Sequence, residues 1–158
     1  MKEKTVADST LEMSHVMQPN QANPAGNVHG GEIMKLMDDA AAVVAQRHAR
    51  TNVVTARVDE LVFHHPIFVG NLVTCHAYLT YVGRSSMEVA VTVEVEDLYS
   101  ELPRTRALTS FFTLVGMNAG GKPIQVPPLA LTNDDERKSF DEASQRYEMY
   151  KLKKMAAL

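Results

Sequence analysis

One stretch of this chain, residues 23–48, constrains the fold more than any other. A polar, turn-rich segment leads there into a run whose apolar residues recur at positions 33, 36, 37, 40, 41 and 44. This i, i+3, i+4, i+7 spacing is typical of a helix that packs one face on a core. Small alanines fill much of the remaining helix surface, so the sequence predicts a slender central helix, ending near Arg50, that other elements can surround.

Alternating patterns around this helix predict an antiparallel sheet. A weak pattern predicts a short edge strand before the helix, and clearer patterns predict four longer strands after it. The predicted strands are 11–17, 52–63, 72–82, 87–95 and 105–115.

The first long strand has two chemically different faces and a clear end. Its alternation predicts that the side chains of Thr55, Arg57 and Asp59 share one face, opposite Val54, Ala56 and Val58. The His64-His65-Pro66 sequence then breaks the strand, because proline cannot donate a hydrogen bond to a neighbouring strand.

A second helix is predicted at the C-terminus. Thr132 or Asn133 is a suitable N-cap, acidic residues follow in the first turn, and Lys151, Lys153 and Lys154 lie in the last turn. One helix facing a long curved antiparallel sheet, with a peripheral C-terminal helix, is an α+β fold. We expect an N-terminal tail over 1–10, one domain over 11–130 and the C-terminal helix over 131–158.

Composition excludes several classes of protein. The chain has 158 residues, 45% of them hydrophobic, and a formal net charge of -3, so it lacks the basic excess of a nucleic-acid binder. The first ten residues contain no apolar signal region, and the run of small apolar residues at 40–45 is far shorter than a membrane span. We therefore expect no nucleic-acid partner, no membrane insertion and a cytoplasmic location, with which a single cysteine agrees.

Asp38 is the carboxylate that most needs an explanation. On a helical wheel it falls at the margin of the apolar face, beside Met34 and Ala41, whereas Asp39 falls on the polar side. A carboxylate removed from water must be hydrogen-bonded, neutralised or used chemically. Asp38 is therefore either a general base or nucleophile, or a structurally bonded aspartate, and spacing alone favours the structural alternative.

The start of the predicted helix adds a second candidate feature. Gly30 and Gly31 open the helix, so its free N–H groups and positive dipole end are suited to an oxyanion or a phosphate. Asn23, in the loop before it, can orient a water or a carbonyl group. The structural alternatives are a tight helix entry for the glycines and a turn for the asparagine.

Other polar groups give weaker indications. The hairpin tip Gly83-Arg84-Ser85-Ser86 can contact a ligand, although a polar tip needs none. Cys75 is in phase with buried strand residues, which favours a small hydrophobe over a nucleophile. The histidines and cysteine show no metal-binding spacing, so no metal is expected. The lysines at 151–154 indicate a solvated helix end, with binding of a substrate phosphate as the alternative.

Several short motifs together resemble those of hotdog-fold acyl-CoA thioesterases, both single-domain bacterial enzymes and the cytosolic acyl-CoA hydrolases of animals. The resemblance covers the chain from Leu11 onward. Its motifs are Asn23-x-x-Gly26-x-x-His29-Gly30-Gly31, Met34-Lys35-Leu36-Met37-Asp38, Thr55-x-x-Val58-Asp59, Phe63-x-x-Pro66-Ile67-x-Val69-Gly70, Ser86-Met87-Glu88 and Phe111-Phe112-Thr113.

This resemblance implies a thioesterase that cleaves acyl-CoA to a free fatty acid and CoA without a cofactor. It implies dimers with continuous sheets, commonly arranged as a hexameric trimer of dimers. The active site would then be shared, with Asp38 from one subunit as base or nucleophile and Asn23 from the other. The substrate-binding residues implied are His29, Gly30, Gly31, Gly83, Arg84, Ser85 and Ser86.

Two other functions remain open at this point. A hotdog module can bind acyl-CoA without catalysis, as a sensor or scaffold, because a fold does not establish chemistry. A hotdog dehydratase would pair a histidine with a carboxylate, and His29 is available. The presence of both Asn23 and Asp38 favours the thioesterase.

Overall fold

The central helix α1, Gly30–Ala49, lies against a curved five-stranded sheet. The computed structural model describes residues 1–157; Leu158, the last residue of the predicted C-terminal helix, lies outside the described residues. The other elements are the strands β1 (Lys4–Thr5), β2 (Leu11–Val16), β3 (Asn52–Val58), β4 (Leu72–Val82), β5 (Ser86–Glu96), β6 (Thr105–Met117) and β7 (Leu129–Ala130), and the helix α2 (Asp134–Ala157). Two short 3-10 helices lie at Val6–Asp8 and Pro19–Gln21.

The predicted apolar stripe of α1 is its buried face. All six stripe positions, from Ile33 to Val44, are at most 9% exposed. The helix ends where Arg50 adopts a left-handed conformation with φ of 54°, and the N–H of Arg50 donates to the Gln46 carbonyl at 2.8 Å. The predicted extent of this helix is confirmed.

The sheet has the strand order β2-β4-β5-β6-β3, and every pairing in it is antiparallel. Its inner face packs on α1 and supplies most of the core. Cys75 is buried within that core, and burial raises the pKa of its thiol to about 11, which fits the predicted hydrophobe. The predicted α+β architecture, one helix against a curved antiparallel sheet with a C-terminal helix, is confirmed.

β3 departs from the prediction in two ways. It ends at Val58, and residues 61–63 are not a strand, because the chain turns away there to line a cavity. A bulge between Thr55 and Arg57 also breaks the alternation. Thr55 therefore faces α1 while Arg57 lies 4.1 Å from the Tyr150 ring of α2, so the predicted shared face of Thr55 and Arg57 is wrong.

Helix α2 packs on the outer face of the sheet. Asn133 Oδ1 accepts from the Glu136 N–H at 2.8 Å, which confirms it as a capping residue. In the middle of the helix, Arg146 donates to the buried carboxylate of Glu88 at 2.7 and 3.2 Å, and its guanidinium lies 3.7 Å from the Phe111 ring centre. This partly buried ion pair holds α2 against β5.

The N-terminal residues close the C-terminal end of α1. β1 pairs in parallel with β7, and Lys4 Nζ donates to the His48 carbonyl at 2.6 Å. The buried His48 ring lies with Nε2 2.6 Å from the Pro127 carbonyl oxygen. Burial lowers the pKa of His48, although this hydrogen bond opposes the shift. None of the helices described is long and apolar enough to cross a membrane.

Candidate active site

A cavity of about 340 Å³ lies at the N-terminus of α1. Its walls come from the loop before α1, the first turn of the helix and the connection between β3 and β4. The lining residues are Asn23, Asn27, Val28, Gly30, Ile33, Phe63, His64, His65, Pro66 and Ile67. The cavity therefore combines apolar walls with a few polar groups beside a helix N-terminus, as small-molecule sites do.

Asn23 is held firmly in this wall. Its backbone N–H donates to the Asn27 carbonyl at 2.8 Å, and its carbonyl accepts from the Gly26 N–H at 3.0 Å. The side-chain Oδ1 accepts from the Ala25 N–H at 3.0 Å, so Asn23 is also a turn former. Its amide NH2 group remains as the donor that a ligand would use.

The first turn of α1 is capped by the residue that precedes the helix. His29 is the N-cap, and its Nδ1 accepts from the Gly31 N–H at 3.0 Å. A Cβ on Gly31 would approach that ring atom to 3.0 Å, which explains glycine there. The Gly31 N–H is thus occupied, whereas the Gly30 N–H makes no hydrogen bond within residues 1–157 and lies at the cavity wall.

Asp38 lies on α1, about 12 Å further along the helix axis than Gly30. It is half-buried, and its Oδ1 accepts a 2.6 Å hydrogen bond from the Thr55 hydroxyl on β3. The neighbouring Asp39 is exposed, as predicted. Asp38 does not contribute to the 340 Å³ cavity formed by the described part of the chain. Thr55 holds one carboxylate oxygen and leaves the other available for chemistry.

The hairpin tip lies at the opposite end of α1 from Gly30 and Gly31. The Arg84 carbonyl accepts from the Val126 N–H at 2.8 Å, and the adjacent Pro127 is bonded to His48 near the helix C-terminus. That end is about 27 Å from Gly30 at the helical rise of 1.5 Å per residue. Within one chain, the structure therefore brings Asn23, His29, Gly30 and Gly31 together but separates Gly83–Ser86 from them, with Asp38 between.

No group of three His, Cys, Asp or Glu side chains within residues 1–157 is placed to hold a metal ion. The lysines at 151–154 are exposed at the end of α2, away from the cavity lining.

Comparison with known proteins identifies the family. The acyl-CoA hydrolase of Staphylococcus aureus, solved in complex with butyryl coenzyme A and coenzyme A, is 32% identical to this chain, with a TM-score of 0.87. The match covers 98% of this chain and 94% of that one. The chain belongs to the hotdog-fold acyl-CoA thioesterase family. The model of the thioesterase superfamily also matches residues 25–101.

Further members of the family resemble the chain to differing extents. The cytosolic acyl coenzyme A thioester hydrolase of the rat is 40% identical over 95% of this chain, which spans only 40% of the rat protein's length. An uncharacterized acyl-CoA thioester hydrolase of Bacillus subtilis is 38% identical to this chain. The match covers 81% of this chain and 74% of the B. subtilis protein. An apo-hexameric acyl-CoA thioesterase has a TM-score of 0.89 at 32% identity, covering 100% of this chain and 99% of its own.

Three alanine variants of the S. aureus enzyme have also been solved. They replace an asparagine, an aspartate and a threonine, and the asparagine precedes the aspartate by 15 positions while the threonine follows it by 17. Asn23, Asp38 and Thr55 have the same two separations in this chain.

Sequence reasoning missed two parts of this site. Thr55 appeared only as one polar residue of an alternating strand, and the bulge that turns it toward α1 leaves no clear pattern. The segment 63–67, predicted as strand end and strand break, lines the cavity instead. Its proline and paired histidines indicated a strand break, but they gave no sign that the segment lines a cavity.

Proposed function

We propose that this chain is an acyl-CoA thioesterase that hydrolyses the thioester to a free fatty acid and CoA. The observation that carries the proposal is the Thr55 to Asp38 hydrogen bond, which holds a half-buried carboxylate on the central helix. The same residue types at the same separations are those replaced in the S. aureus hydrolase variants. An acyl-CoA binding module without catalysis has no need of this arrangement.

The chemistry follows from the free oxygen of Asp38. As a general base, that oxygen takes a proton from water as the water oxygen attacks the thioester carbonyl; as a nucleophile, it attacks the carbonyl itself. The carbonyl becomes an oxyanion, which the Gly30 N–H and the positive end of α1 stabilise. In the base route, collapse of this intermediate breaks the C–S bond and releases CoA thiolate, which then takes up a proton. In the nucleophile route, the same collapse leaves an acyl-Asp38 anhydride that water must hydrolyse.

The site is proposed to be shared between two chains. β3 is an edge strand, and pairing it with the β3 of a second copy in antiparallel orientation would place two α1 helices side by side and antiparallel. Each helix N-terminus, with Asn23, would then face the partner's Asp38 and hairpin Gly83–Ser86. This explains why one chain keeps those groups apart.

The larger assembly is proposed to be a hexamer built from three such dimers. Hexameric thioesterases are among the solved structures similar to this chain. In this proposal the dimer is the minimal active unit, because each site needs both copies. A cytoplasmic location is proposed on the name of the cytosolic rat relative.

His29 weighs against the dehydratase alternative. Its Nδ1 is engaged as the acceptor of the Gly31 N–H, so the ring caps the helix. With Nδ1 accepting, the neutral ring carries its proton on Nε2, so a role as the base that removes a proton from carbon would require Nδ1 to release the Gly31 N–H.

Release of CoA tests the proposal. A thiol-reactive dye would follow CoA release from short-, medium- and long-chain acyl-CoAs by the wild type, Asp38→Asn and Asp39→Asn. We expect wild-type turnover, a loss of about 10²-fold or more in Asp38→Asn, and near wild-type turnover in Asp39→Asn, which alters an exposed carboxylate one position away.

Two results would contradict the proposal. A folded wild type that binds acyl-CoA but releases no CoA would instead be a binding module. Equal turnover by Asp38→Asn and the wild type would exclude Asp38 as the reactive carboxylate.

A further inference from the structure

The last two turns of α2 extend beyond the rest of the chain. All residues from Lys151 to Ala157 are exposed, although the helix continues without a break to Ala157. Met149, Leu152 and Met155 recur at intervals of three and are 56%, 61% and 72% exposed, so they form an apolar stripe. We name residues 149–157 the α2 extension. A short helical end gains little stability by itself in water, so this stripe needs a covering surface.

The path of α2 shows where that surface must be. The helix crosses the outer face of the sheet strand by strand, from β4 through β5 and β6 to β3. The contacts that define this path are Phe140 with Tyr81, Arg146 with Glu88 and Phe111, and Tyr150 with Arg57. From residue 140 to 150 the helix advances about 15 Å, which matches three spacings between strands.

Beyond β3 the helix therefore has no strand of its own chain beneath it. The seven residues after Tyr150 advance about 10 Å, the width of two further strands. β3 itself is an open edge on which Val54 and Val58 are 42% and 38% exposed. Exposed apolar edge strands are normally covered. A sheet that continues from β3 into a second chain would pair with the open edge. It would also lie beneath the overhanging end of α2.

The charges of α2 disfavour an anionic membrane as the covering surface. The extension carries three lysines and no acidic residue, whereas the preceding part of the helix carries six acidic and three basic residues. That acidic part would be repelled by anionic lipid. Two α2 helices related by a two-fold axis at β3 run antiparallel, and an extension two strands long reaches the last turns of the other helix, where Glu148 is the acidic residue beside its lysines.

We propose that the α2 extension is a clasp that crosses the junction between two β3 strands and packs on the second copy. Leu152 and Met155 contact the outer face of the partner's sheet and the flank of the partner's α2, while Met149 borders the groove that α2 forms with β3 and β6 of its own chain. The inference rests on the dimer proposed above and adds a second contact to it. Because two-fold symmetry makes this contact twice, the clasp holds together the junction at which the shared active site is formed.

The double variant Leu152→Asp/Met155→Asp tests the clasp. Both side chains are exposed in the single chain, so the substitutions leave its core untouched. Leu102→Asp, which alters a 77% exposed leucine in the β5–β6 loop, is the matched control. Sedimentation velocity across a dilution series of the full chain would give the dimer dissociation constant. We expect it to rise by about tenfold or more in the double variant only, because both copies lose buried apolar contacts.

Hydrogen exchange supplies a readout specific to the extension. Backbone amides of 149–157 are expected to be protected in the wild-type dimer and to lose that protection in the double variant. Rapid exchange of these amides in a stable wild-type dimer would overturn the clasp. So would an unchanged dimer whose hexamer falls apart in the double variant, because the extension would then join dimers to one another.

A further variant separates failure of the clasp from failure of the dimer. Val54→Asp places a charge on the open edge of β3 and is expected to abolish dimerisation. If Val54→Asp is monomeric while the double variant dimerises like the wild type, the clasp alone is wrong. If the wild type is itself monomeric at all concentrations, both the β3 dimer and the clasp are overturned.

Discussion

At the scale of single residues, Thr55 is the hydrogen-bond partner of the Asp38 side chain. Its hydroxyl donates to Asp38 Oδ1 at 2.6 Å, which fixes the carboxylate and satisfies one oxygen. A hydrogen bond to a charged group contributes about 1.5–3 kcal/mol. In the proposed mechanism, Thr55 is a positioning residue that acts through Asp38.

Replacing Thr55 by valine preserves shape and removes the hydroxyl. We expect kcat for acyl-CoA hydrolysis to fall by about tenfold or more, because the carboxylate loses its fixed orientation. Thr55→Ser, which keeps the hydroxyl, should restore most of the activity. Thr109→Val, at an exposed threonine on the outer face, is the control. Equal kcat values for Thr55→Val and the wild type would show that Asp38 needs no such partner.

The residue-level site was only partly predictable from the sequence. Asp38 stood out because helical periodicity is regular enough to place a carboxylate beside an apolar stripe. Thr55 did not, because a single bulge reverses the orientation of later strand residues without a sequence signature. The capping of Gly31 by His29 also depends on a side-chain conformation that spacing does not specify.

At the scale of secondary-structure elements, His48 ties the end of α1 to the segment before β7. Burial lowers its pKa below the ordinary value of 6.5, and Lys4 acts in the same direction. Protons therefore bind the unfolded chain more tightly than the folded one. The stability that the neutral ring contributes is fully present above pH 6.5 and is lost as the pH falls toward the lowered pKa.

The free energy of unfolding in urea should accordingly decrease between pH 7.5 and 5.5, by at most about 1.4 kcal/mol per pH unit from His48. His48→Gln retains a donor toward the Pro127 carbonyl but does not titrate. The free energy of unfolding of this variant should therefore decrease less over the same pH range. His15→Gln, at an exposed histidine, is the control. If His48→Gln shows the same pH dependence as the wild type, His48 is not its source.

The attachment of α2 depends on the pair formed by Arg146 and Glu88. Arg146→Met would leave the Glu88 carboxylate buried without its cation, and we expect a loss of about 3 kcal/mol in the free energy of unfolding. The double variant Arg146→Met/Glu88→Leu removes both charges and should recover most of that loss. Chemical denaturation of the two variants checks this, and a double variant less stable than the single one would contradict it.

Elements with long periodic patterns were predictable, and the two-residue strands were not. The bounds of α1, β4 and β6 follow from apolar repeats that extend over ten or more residues. β1 and β7 have two residues each, too few for any pattern, and their pairing depends on the position of a loop far away in sequence. The early end of β3 reflects the cavity, which local sequence does not encode.

At the scale of the whole molecule, one chain keeps the groups of the proposed site apart. Asn23 and Gly30 line the cavity at one end of α1, Asp38 faces β3, and the hairpin lies at the far end. The sequence alone indicated a shared site only through the family resemblance, because no pattern within a chain reports on its partner. The open edge of β3 and the overhanging α2 now supply physical reasons for a two-fold assembly.

Complementation between two inactive variants tests the shared site most directly. Asn23→Ala and Asp38→Asn chains with different affinity tags would be co-expressed, and assemblies that contain both chains isolated by successive purification on both tags. In a shared site, each mixed dimer within them contains one intact site and one doubly altered site. CoA release should therefore rise well above that of either parental assembly, toward about half the wild-type rate when every dimer is mixed. A mixed dimer as inactive as its parents would show that Asn23 and Asp38 act within one chain, and would contradict the shared site.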